Sequence, residues 1–444
     1  MARTNTQKPQ VRTHEGGFAM RETPLRELRR TLSTCLLFEN TFYESGDSIA
    51  NRLATLAGKV SKEELIAETL RAKQELKLRH APLWMARHLT RLHQGRDVGD
   101  TIAAVITRAD ELAEFVAMYW REGKQPLSKQ AKRGLSMAFQ KFDEYQFAKY
   151  DRDYAVKLRD VMFMTHPKPT DDGLFKRIAE RELTTPDTWE VNLSAAKGDE
   201  EKRAVWERLL QEEKLGALAL IRNLRNMDKV DVPRPLVKNA LSKARVGKML
   251  PFQFVAAWRN APMFGRAIET SMMRAIEKCD RLNGSTRIIV DVSGSMGGRL
   301  SRKGDMNRLD AACALTLALN ELSDDVRIWT FSNQVVEVAA TRGFGLITDI
   351  QKSQPHGGTY LRGALMEVQK KLSKADRVIV VTDEQTHDGI YSKIDAKRLY
   401  LLNVAPYKYG VDVEDTWTRI NGFSTAVVDW MIQEEADPLF AWTK

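Results

Sequence analysis

Oxygen-bearing side chains follow two short apolar runs, at spacings that suit a divalent cation. The five side chains are Asp291, Ser293, Ser295, Thr359 and Asp383. Two of them end the runs 286–290 and 376–382, two lie on a tight Gly/Ser loop, and one follows a Gly-Gly pair. Mg²⁺ prefers oxygen donors and usually takes few carboxylates together with water. These residues therefore predict a magnesium site, with one coordination position open to a carboxylate or phosphate oxygen of a partner.

An alternating strand and helix pattern accounts for how these side chains meet. Strands are predicted over 286–292, 325–331, 335–339, 376–382 and 398–404, and helices over 305–322, 344–353, 360–373 and 424–435. Such alternation is typical of an open, largely parallel sheet with helices on both faces, in which ligands bind at the carboxyl ends of the strands. The Asp-x-Ser-x-Ser loop, the distant Thr and the Thr-Asp pair resemble the metal-ion-dependent adhesion site of a von Willebrand factor A-type (vWA) domain, which we place at 286–444.

The front of the chain has a different rhythm. Residues 1–20 are polar and predict a flexible arm, and apolar residues recur at helical spacing over 21–280, interrupted by Gly and Pro. Helices are predicted at about 24–36, 46–58, 61–78, 81–93, 98–120, 128–140, 143–163, 174–182, 199–213, 214–226, 234–245, 251–258 and 262–280. Short connections favour antiparallel helical hairpins, as in a helical-repeat array; a single large bundle is the alternative.

Charge is unevenly distributed between these two parts. The formal net charge is +10, yet residues 281–444 hold 20 Lys/Arg and 21 Asp/Glu, so the excess lies before residue 281. A basic module suggests a polyanionic partner. The three cysteines are far apart, which favours a reducing, cytoplasmic setting. No apolar run approaches the length of a membrane-spanning helix, and the N-terminus does not read as a secretory signal.

Three stretches in the helical part resemble the Ro RNA-binding autoantigen family. They are residues 200–210 (EEKRAVWERLL), 218–227 (LALIRNLRNM) and 248–254 (KMLPFQF). The resemblance implies a TROVE module of HEAT-like repeats that forms a monomeric ring closed by the vWA domain. It also implies small noncoding Y-like RNA on the outer surface of the ring and single-stranded ends of misfolded RNA in its central hole. An exoribonuclease such as polynucleotide phosphorylase is the implied protein partner.

The resemblance also carries specific RNA contacts to this chain. A Lys-Tyr pair and a later His-x-Lys-Pro match a family segment, which assigns RNA binding to Lys149, Tyr150, Arg152, His166 and Lys168. Asp153 departs from the family, which tends to be basic there. Lys and Arg neutralise phosphates, while His and Tyr stack on bases or hydrogen-bond to them. Three upstream residues extend the predicted patch: Lys132, Arg133 and Lys141.

These observations predict a multidomain fold, α followed by α/β, and a non-catalytic RNA-binding scaffold of a ribonucleoprotein. The alternative is a metal-dependent protein-interaction module in which the cation binds a partner carboxylate and RNA is incidental. A hydrolase is much less favoured, because Ser295 lacks the G-x-S-x-G context and no phosphate-binding P-loop occurs.

Overall fold

The computed structural model describes residues 11–436 except for a few short gaps. The gaps are residues 20, 152, 170, 185–186, 248, 250, 278–279, 301–304, 414–415 and 423–425. The chain divides into two compact units. The first unit comprises residues 1–50, 216–229 and 233–444, and the second comprises residues 51–215 and 230–232.

Helices make up the described chain up to residue 276. They are α1 (Pro24–Thr34), α2 (Gly46–Ala57), α3 (Lys62–Gln74), α4 (His80–Leu92), α5 (Arg96–Val105), α6 (Asp110–Tyr119), α7 (Lys129–Phe139), α8 (Glu144–Tyr150), α9 (Leu158–Thr165), α10 (Asp172–Glu180), α11 (Trp189–Ala195), α12 (Asp199–Gln211), α13 (Ala217–Lys229), α14 (Arg234–Lys243), α15 (Pro251–Asn260) and α16 (Gly265–Ile276). Helices α3–α12 belong to the second unit, and α1 and α13–α16 to the first. None of the described helices is long and apolar enough to cross a bilayer.

Polar caps decide where several of these helices begin. Ser61 and Glu64 form a reciprocal capping box at the start of α3. The sequence predicted one helix over 98–120, but the structure has two. The Glu111 carboxylate accepts a hydrogen bond from the Thr107 amide (2.8 Å) and so starts α6 anew. The predicted helix over 143–163 is likewise divided into α8 and α9, because the side chain of Asp160 accepts from the Lys157 amide (3.0 Å) and begins α9 there.

A six-stranded sheet follows in the first unit. Its strands are β1 (Leu282–Asp291), β2 (Ser323–Phe331), β3 (Val335–Val338), β4 (Ala375–Thr382), β5 (Ala396–Asn403) and β6 (Thr418–Asn421). Their order is β3-β2-β1-β4-β5-β6, and only β3 pairs antiparallel to its neighbour. The predicted fold class, helices followed by a mostly parallel α/β domain, is confirmed. Strand β6 and helix α11 were missed because four strand residues and one seven-residue helix carry too little periodic pattern.

Four helices accompany the sheet: α17 (Arg308–Leu322), α18 (Gly345–Lys352), α19 (Leu361–Leu372) and α20 (Ala426–Ala436). Residues of β1 and β4 such as Ile289 and Val380 form one buried cluster with Leu365 of α19. Helix α17 contacts β1, β2 and β4 and is buried along nearly its whole length. The apolar core thus holds β1 and β4 side by side in parallel register, with Val290 opposite Val381.

The predicted flexible arm over residues 1–20 falls partly outside the described residues. Its described part is not loose. Residues 11–19 hydrogen-bond to the loop that follows β4, where the Gly17 amide donates to the Thr386 carbonyl at 3.0 Å. Ala19 bridges to Val411. The sequence does not foresee this, because the arm and its partner loop lie more than 360 residues apart.

A buried ion cluster ties α1 to the same loop. Glu384 is fully buried, and its carboxylate pairs with Arg30 of α1 and with Arg419 of β6, each at 2.8 Å. The Arg30 Nε also donates to the Tyr407 carbonyl at 2.8 Å. Gly410 packs directly against these charged groups, where a Cβ would collide with Glu384 and Arg30. Buried charges of this kind are tolerated only as pairs.

We expect Arg30→Ala to destabilise the first unit strongly, because it leaves the buried Glu384 carboxylate with one partner fewer. Removing one partner of a buried pair costs about 3–5 kcal/mol. The measurement is the thermal midpoint Tm, which should fall by about 6 °C or more. Arg26→Ala, a half-exposed arginine on the same helix, is the control and should change Tm little. Equal effects of both substitutions would contradict a special role for the ion cluster.

Candidate functional site

The site lies at the carboxyl ends of the adjacent strands β1 and β4. Asp291 is the last residue of β1, and Asp383 directly follows β4. Both carboxylates are fully buried. The two strand ends lie side by side, because β1 and β4 are neighbours in the sheet, and the cation site itself stays a prediction.

Asp291 organises the loop that follows it. One carboxylate oxygen accepts from the Ser293 amide at 2.9 Å, and the other accepts from the Thr382 hydroxyl at 2.6 Å. The Ser293 and Ser295 hydroxyl oxygens are 3.3 Å apart. The two hydroxyls therefore lie beside each other on the loop that Asp291 holds.

The Gly357-Gly358 loop is held against the serine loop. The Gly294 amide donates to the Gly357 carbonyl at 2.9 Å, and the His356 Nδ1 lies 2.6 Å from the Val292 carbonyl oxygen. Thr359, which follows the two glycines, is buried. Its carbonyl accepts from the Thr386 hydroxyl at 3.2 Å, which ties it to the loop after Asp383. All five predicted ligand residues thus belong to three loops that contact one another.

Asp383 shows the feature that best fits a cation. Its Oδ1 accepts from the Gln385 amide at 3.0 Å, whereas its buried Oδ2 meets no hydrogen-bond donor among the described residues. Burial, and next the charge of Asp291, raise the pKa of the Asp383 carboxyl. Burial also raises the pKa of Asp291. An orphaned carboxylate oxygen beside a second buried carboxylate is a cost that a divalent cation would relieve.

The donor set suits a hard cation of the Mg²⁺ type. It consists of two carboxylates and three hydroxyls, all oxygen. In the described residues no cluster of three or more His, Cys, Asp or Glu side chains is present. Softer metals that need imidazole or thiolate ligands are therefore not favoured. When bound, the cation would supply a Lewis-acidic position for an incoming oxygen ligand.

No acid–base machinery accompanies Ser295. The His356 ring lies on the Val292 carbonyl, and the His387 Nδ1 accepts from the Thr359 amide at 3.1 Å. In the part of the chain that the structure covers, no hydrogen bond joins either imidazole to the Ser295 hydroxyl. That the site is not one of nucleophilic catalysis stays a prediction from the sequence.

The predicted RNA residues lie in the second unit, on and after α8 and α9. Lys149 lies near the end of α8, with its Nζ 5.7 Å from the centre of the Tyr150 ring. The Arg108 guanidinium covers the same ring at 4.9 Å, so Tyr150 orients two cations instead of presenting a free face. His166 is exposed and caps α9 in the left-handed conformation, with φ of 45°. Lys168 is exposed, and Arg152 lies outside the described residues.

The upstream basic residues differ in how free they are. Lys132 is exposed. Arg133 forms an ion pair with Asp100. The Lys141 Nζ binds the carbonyls that end α5, including Ile106 at 3.3 Å, and burial lowers the pKa of its ammonium. We therefore expect Lys141 to stabilise a helix end and not to contact phosphate. Its role as a helix cap was not evident from the sequence, since the carbonyls come from a helix 35 residues earlier.

Three further aromatic side chains are exposed in the same stretch. They were not among the residues predicted from the sequence. They are Tyr145 at 49%, Tyr154 at 56% and Phe163 at 55%. Tyr145 lies four residues before Lys149 on α8, and Phe163 three residues before His166 at the end of α9. Residues at these separations share a helix face. The signal was available in principle, because both rings fall outside the apolar period of their helices.

We expect millimolar Mg²⁺ to raise the Tm of the protein above its value in EDTA, because the cation offsets the repulsion between Asp291 and Asp383. A ligand at 100 times its Kd adds about 2.7 kcal/mol to stability. Differential scanning fluorimetry with and without EDTA measures the gain. Asp383→Asn should abolish it and also raise Tm in EDTA, since one buried charge is gone. The exposed Asp395→Asn is the control. An undiminished Mg²⁺ effect in Asp383→Asn would show that the cation binds elsewhere.

Comparison with known proteins agrees with this geometry. Residues 175–263 match the TROVE domain, and residues 286–402 match the Ro60 vWA domain. The fold is similar to the crystal structure of the Deinococcus radiodurans Ro (RSR) protein, with a TM-score of 0.59 and 18% sequence identity. That match covers 92% of this chain and 98% of the other. The RNA residues assigned above precede the span matched to the TROVE domain, whereas all five cation residues lie inside the vWA match.

Proposed function

Because the chain belongs to the Ro60/TROVE family, with a TROVE domain followed by a Ro60 vWA domain, we propose that it is a non-catalytic RNA-binding scaffold. The proposed ligand is a small structured RNA of the Y-like class, held on a basic and aromatic surface of the second unit. We define this surface, the 145–168 surface, by Tyr145, Lys149, Tyr154, Phe163, His166 and Lys168.

One observation carries the proposal: the 145–168 surface combines three exposed rings with the exposed Lys168 and the partly exposed Lys149. Soluble proteins rarely leave several large aromatic side chains half in water without use. Stretches of RNA whose bases are unpaired stack on such rings, while the flanking phosphates are neutralised by Lys and Arg. The 145–168 surface therefore suits an RNA that has both a paired stem and an unpaired segment.

Asp153 limits the positive charge of this surface. Its carboxylate is 72% exposed and pairs with Lys157 at 2.7 Å and with Arg181 at 3.6 Å. These cations lower the pKa of the Asp153 carboxyl, so the residue is ionised at neutral pH. The departure from the family thus has a local consequence, since one acid pairs with two cations and offsets one of their two positive charges.

We expect the double substitution Lys149→Ala/His166→Asn to weaken binding of a structured small RNA by at least ten-fold. Asn keeps the left-handed cap at the end of α9 and removes only the imidazole. Loss of one phosphate contact should also lower the slope of log K against log salt by about one. Filter binding or fluorescence anisotropy over a salt series measures both. Lys59→Ala, an exposed lysine of the same unit, is the control. Unchanged affinity in the double variant would refute this surface as the RNA site.

We expect Asp153→Asn to strengthen RNA binding, by about three- to ten-fold at low salt, because it frees Lys157 and Arg181 for phosphate. The gain should shrink as salt rises. Asp199→Asn, which removes an equally exposed carboxylate from α12, is the matched control and should have little effect. A weaker complex with Asp153→Asn would indicate that Asp153 itself contacts the RNA.

A second candidate function has its own support in the orphaned Oδ2 of Asp383. In this proposal the five oxygen ligands hold Mg²⁺, and the cation binds a carboxylate of a protein partner. Loss of partner capture in EDTA and in Asp291→Ala, with RNA binding intact, would favour it. Binding of RNA ends in a ring hole and cooperation with an exoribonuclease such as polynucleotide phosphorylase stay predictions of the family resemblance.

A further inference from the structure

The described part of the N-terminal arm is fastened beside the candidate cation site. We call residues 11–19 the strap. The Thr13 hydroxyl donates to the Thr386 carbonyl at 2.7 Å, and the His14 amide donates to the Gln385 side chain at 2.7 Å. Gly17 approaches Thr386 so closely that a Cβ there would collide with its carbonyl. The loop it touches is the one that directly follows Asp383.

The strap carries a single carboxylate, and two side chains hold it. Glu15 accepts a hydrogen bond from the Tyr43 hydroxyl, and its other oxygen lies 2.9 Å from the His387 Nε2. Burial, and next this hydrogen bond to Glu15, raise the pKa of the Tyr43 phenol, so it is a donor at neutral pH. The Glu15 side chain is 27% exposed, which leaves it at the rim between the protein and water.

His387 connects Glu15 to a candidate cation ligand. Its Nδ1 lies 3.1 Å from the Thr359 amide nitrogen and 3.2 Å from the Thr359 carbonyl oxygen, and its Nε2 faces Glu15. The imidazole also stacks on Tyr360, with ring centres 4.8 Å apart. Glu15, His387 and Thr359 thus form a continuous chain of contacts that ends at the ligand loop.

Glu15 stands beside the ligand set and not within it. Its charge is close enough to raise the pKa of Asp291, after the larger effect of burial. Yet the described residues hold no cluster of three acidic or other metal-binding side chains, so Glu15 does not form one with Asp291 and Asp383. Glu15 therefore places a negative charge of the chain itself next to the candidate cation site. The open coordination position of that site would bind the carboxylate of a partner.

We propose that the strap is a tethered competitor at the cation site, and that the partner of this site is an acidic protein segment that displaces residues 11–19 as it binds. The proposal rests on the cation-dependent interaction described above as the second candidate function. Displacement would uncover Tyr43 and His387, which then become donors for the side chains that flank the incoming carboxylate. The cations that surround Glu384 are already paired and buried, so they do not attract the partner.

The expected size of the effect follows from tethering. A group on a short flexible linker competes at an effective concentration of the order of millimolar. An effective concentration about ten times the dissociation constant of a single carboxylate at the site would weaken the binding of an external carboxylate about ten-fold. Removing the competing charge should raise the apparent affinity of a simple carboxylate by about ten-fold.

The test uses the full chain loaded with Mn²⁺ and titrated with acetate. Water-proton relaxation reports Mn²⁺ binding and the displacement of its water by acetate. Glu15→Gln removes the charge but keeps the shape of the side chain, and Gly17→Ala keeps Glu15 but prevents the strap from seating. Both should raise acetate affinity about ten-fold.

Glu44→Gln is the control, since this carboxylate lies 3.8 Å from His14 in the same cluster. Tryptic cleavage after Arg12 should become faster only in Gly17→Ala.

Three results would overturn the proposal. In the first, both variants bind acetate within two-fold of wild type, while Gly17→Ala is cleaved faster after Arg12. The strap would then be seated on the loop after Asp383 without competing with acetate for the cation. In the second, Glu44→Gln raises acetate affinity as much as Glu15→Gln does, which would mean that any nearby negative charge has the same effect. Failure of the wild-type protein to bind Mn²⁺ would remove the cation site and this inference together, and would leave RNA binding by the 145–168 surface unaffected.

Discussion

Two carboxylates buried at neighbouring strand ends are the constraint on which the vWA-type unit depends. Asp291 and Asp383 lose their hydration together, and each raises the cost of ionising the other. Hydrogen bonds from the Ser293 amide and the Thr382 hydroxyl offset part of that cost. The Asp383 Oδ2 receives no such help from the described residues. The surrounding loops are arranged to present hydroxyls to the same point, which is the arrangement expected where a cation supplies the remaining compensation.

The neighbouring acid, Glu384, is treated in the opposite way. It follows Asp383 in the chain with φ of 62°, a strained conformation for a residue with a Cβ. That turn directs its side chain away from the cation site and into a pair of arginines, Arg30 and Arg419. Adjacent acids therefore have separate surroundings: Asp383 faces the proposed cation site, whereas Glu384 is paired with two arginines and fastens α1 and β6 to the loop. The strap contacts the next three residues, so this one loop joins three distant segments of the chain.

The proposed RNA surface follows a different physical principle. It belongs to the second unit, where the exposed rings of Tyr145, Tyr154 and Phe163 accompany cations that are only partly paired. Binding there would depend on phosphate neutralisation and stacking, both of which tolerate water. The proposed cation site, in contrast, depends on buried carboxylates. The two proposed sites thus lie on different units and share no residues.

The sequence by itself determined the fold class and the separate helical and α/β parts, because these depend on periodicity, and it predicted five oxygen ligands from side chains close to strand ends. It also pointed to the stretch around Lys149 and His166. Only the tertiary structure decided which distant groups these individual side chains contact. Lys141 caps a helix, Tyr150 is covered by Arg108, and Glu15 and Arg30 contact the loop after Asp383 across more than 350 residues. Local pattern encodes the hydrogen bonds within an element. Pairings between distant elements depend on which surfaces the packed core brings together, and no spacing in the chain records them.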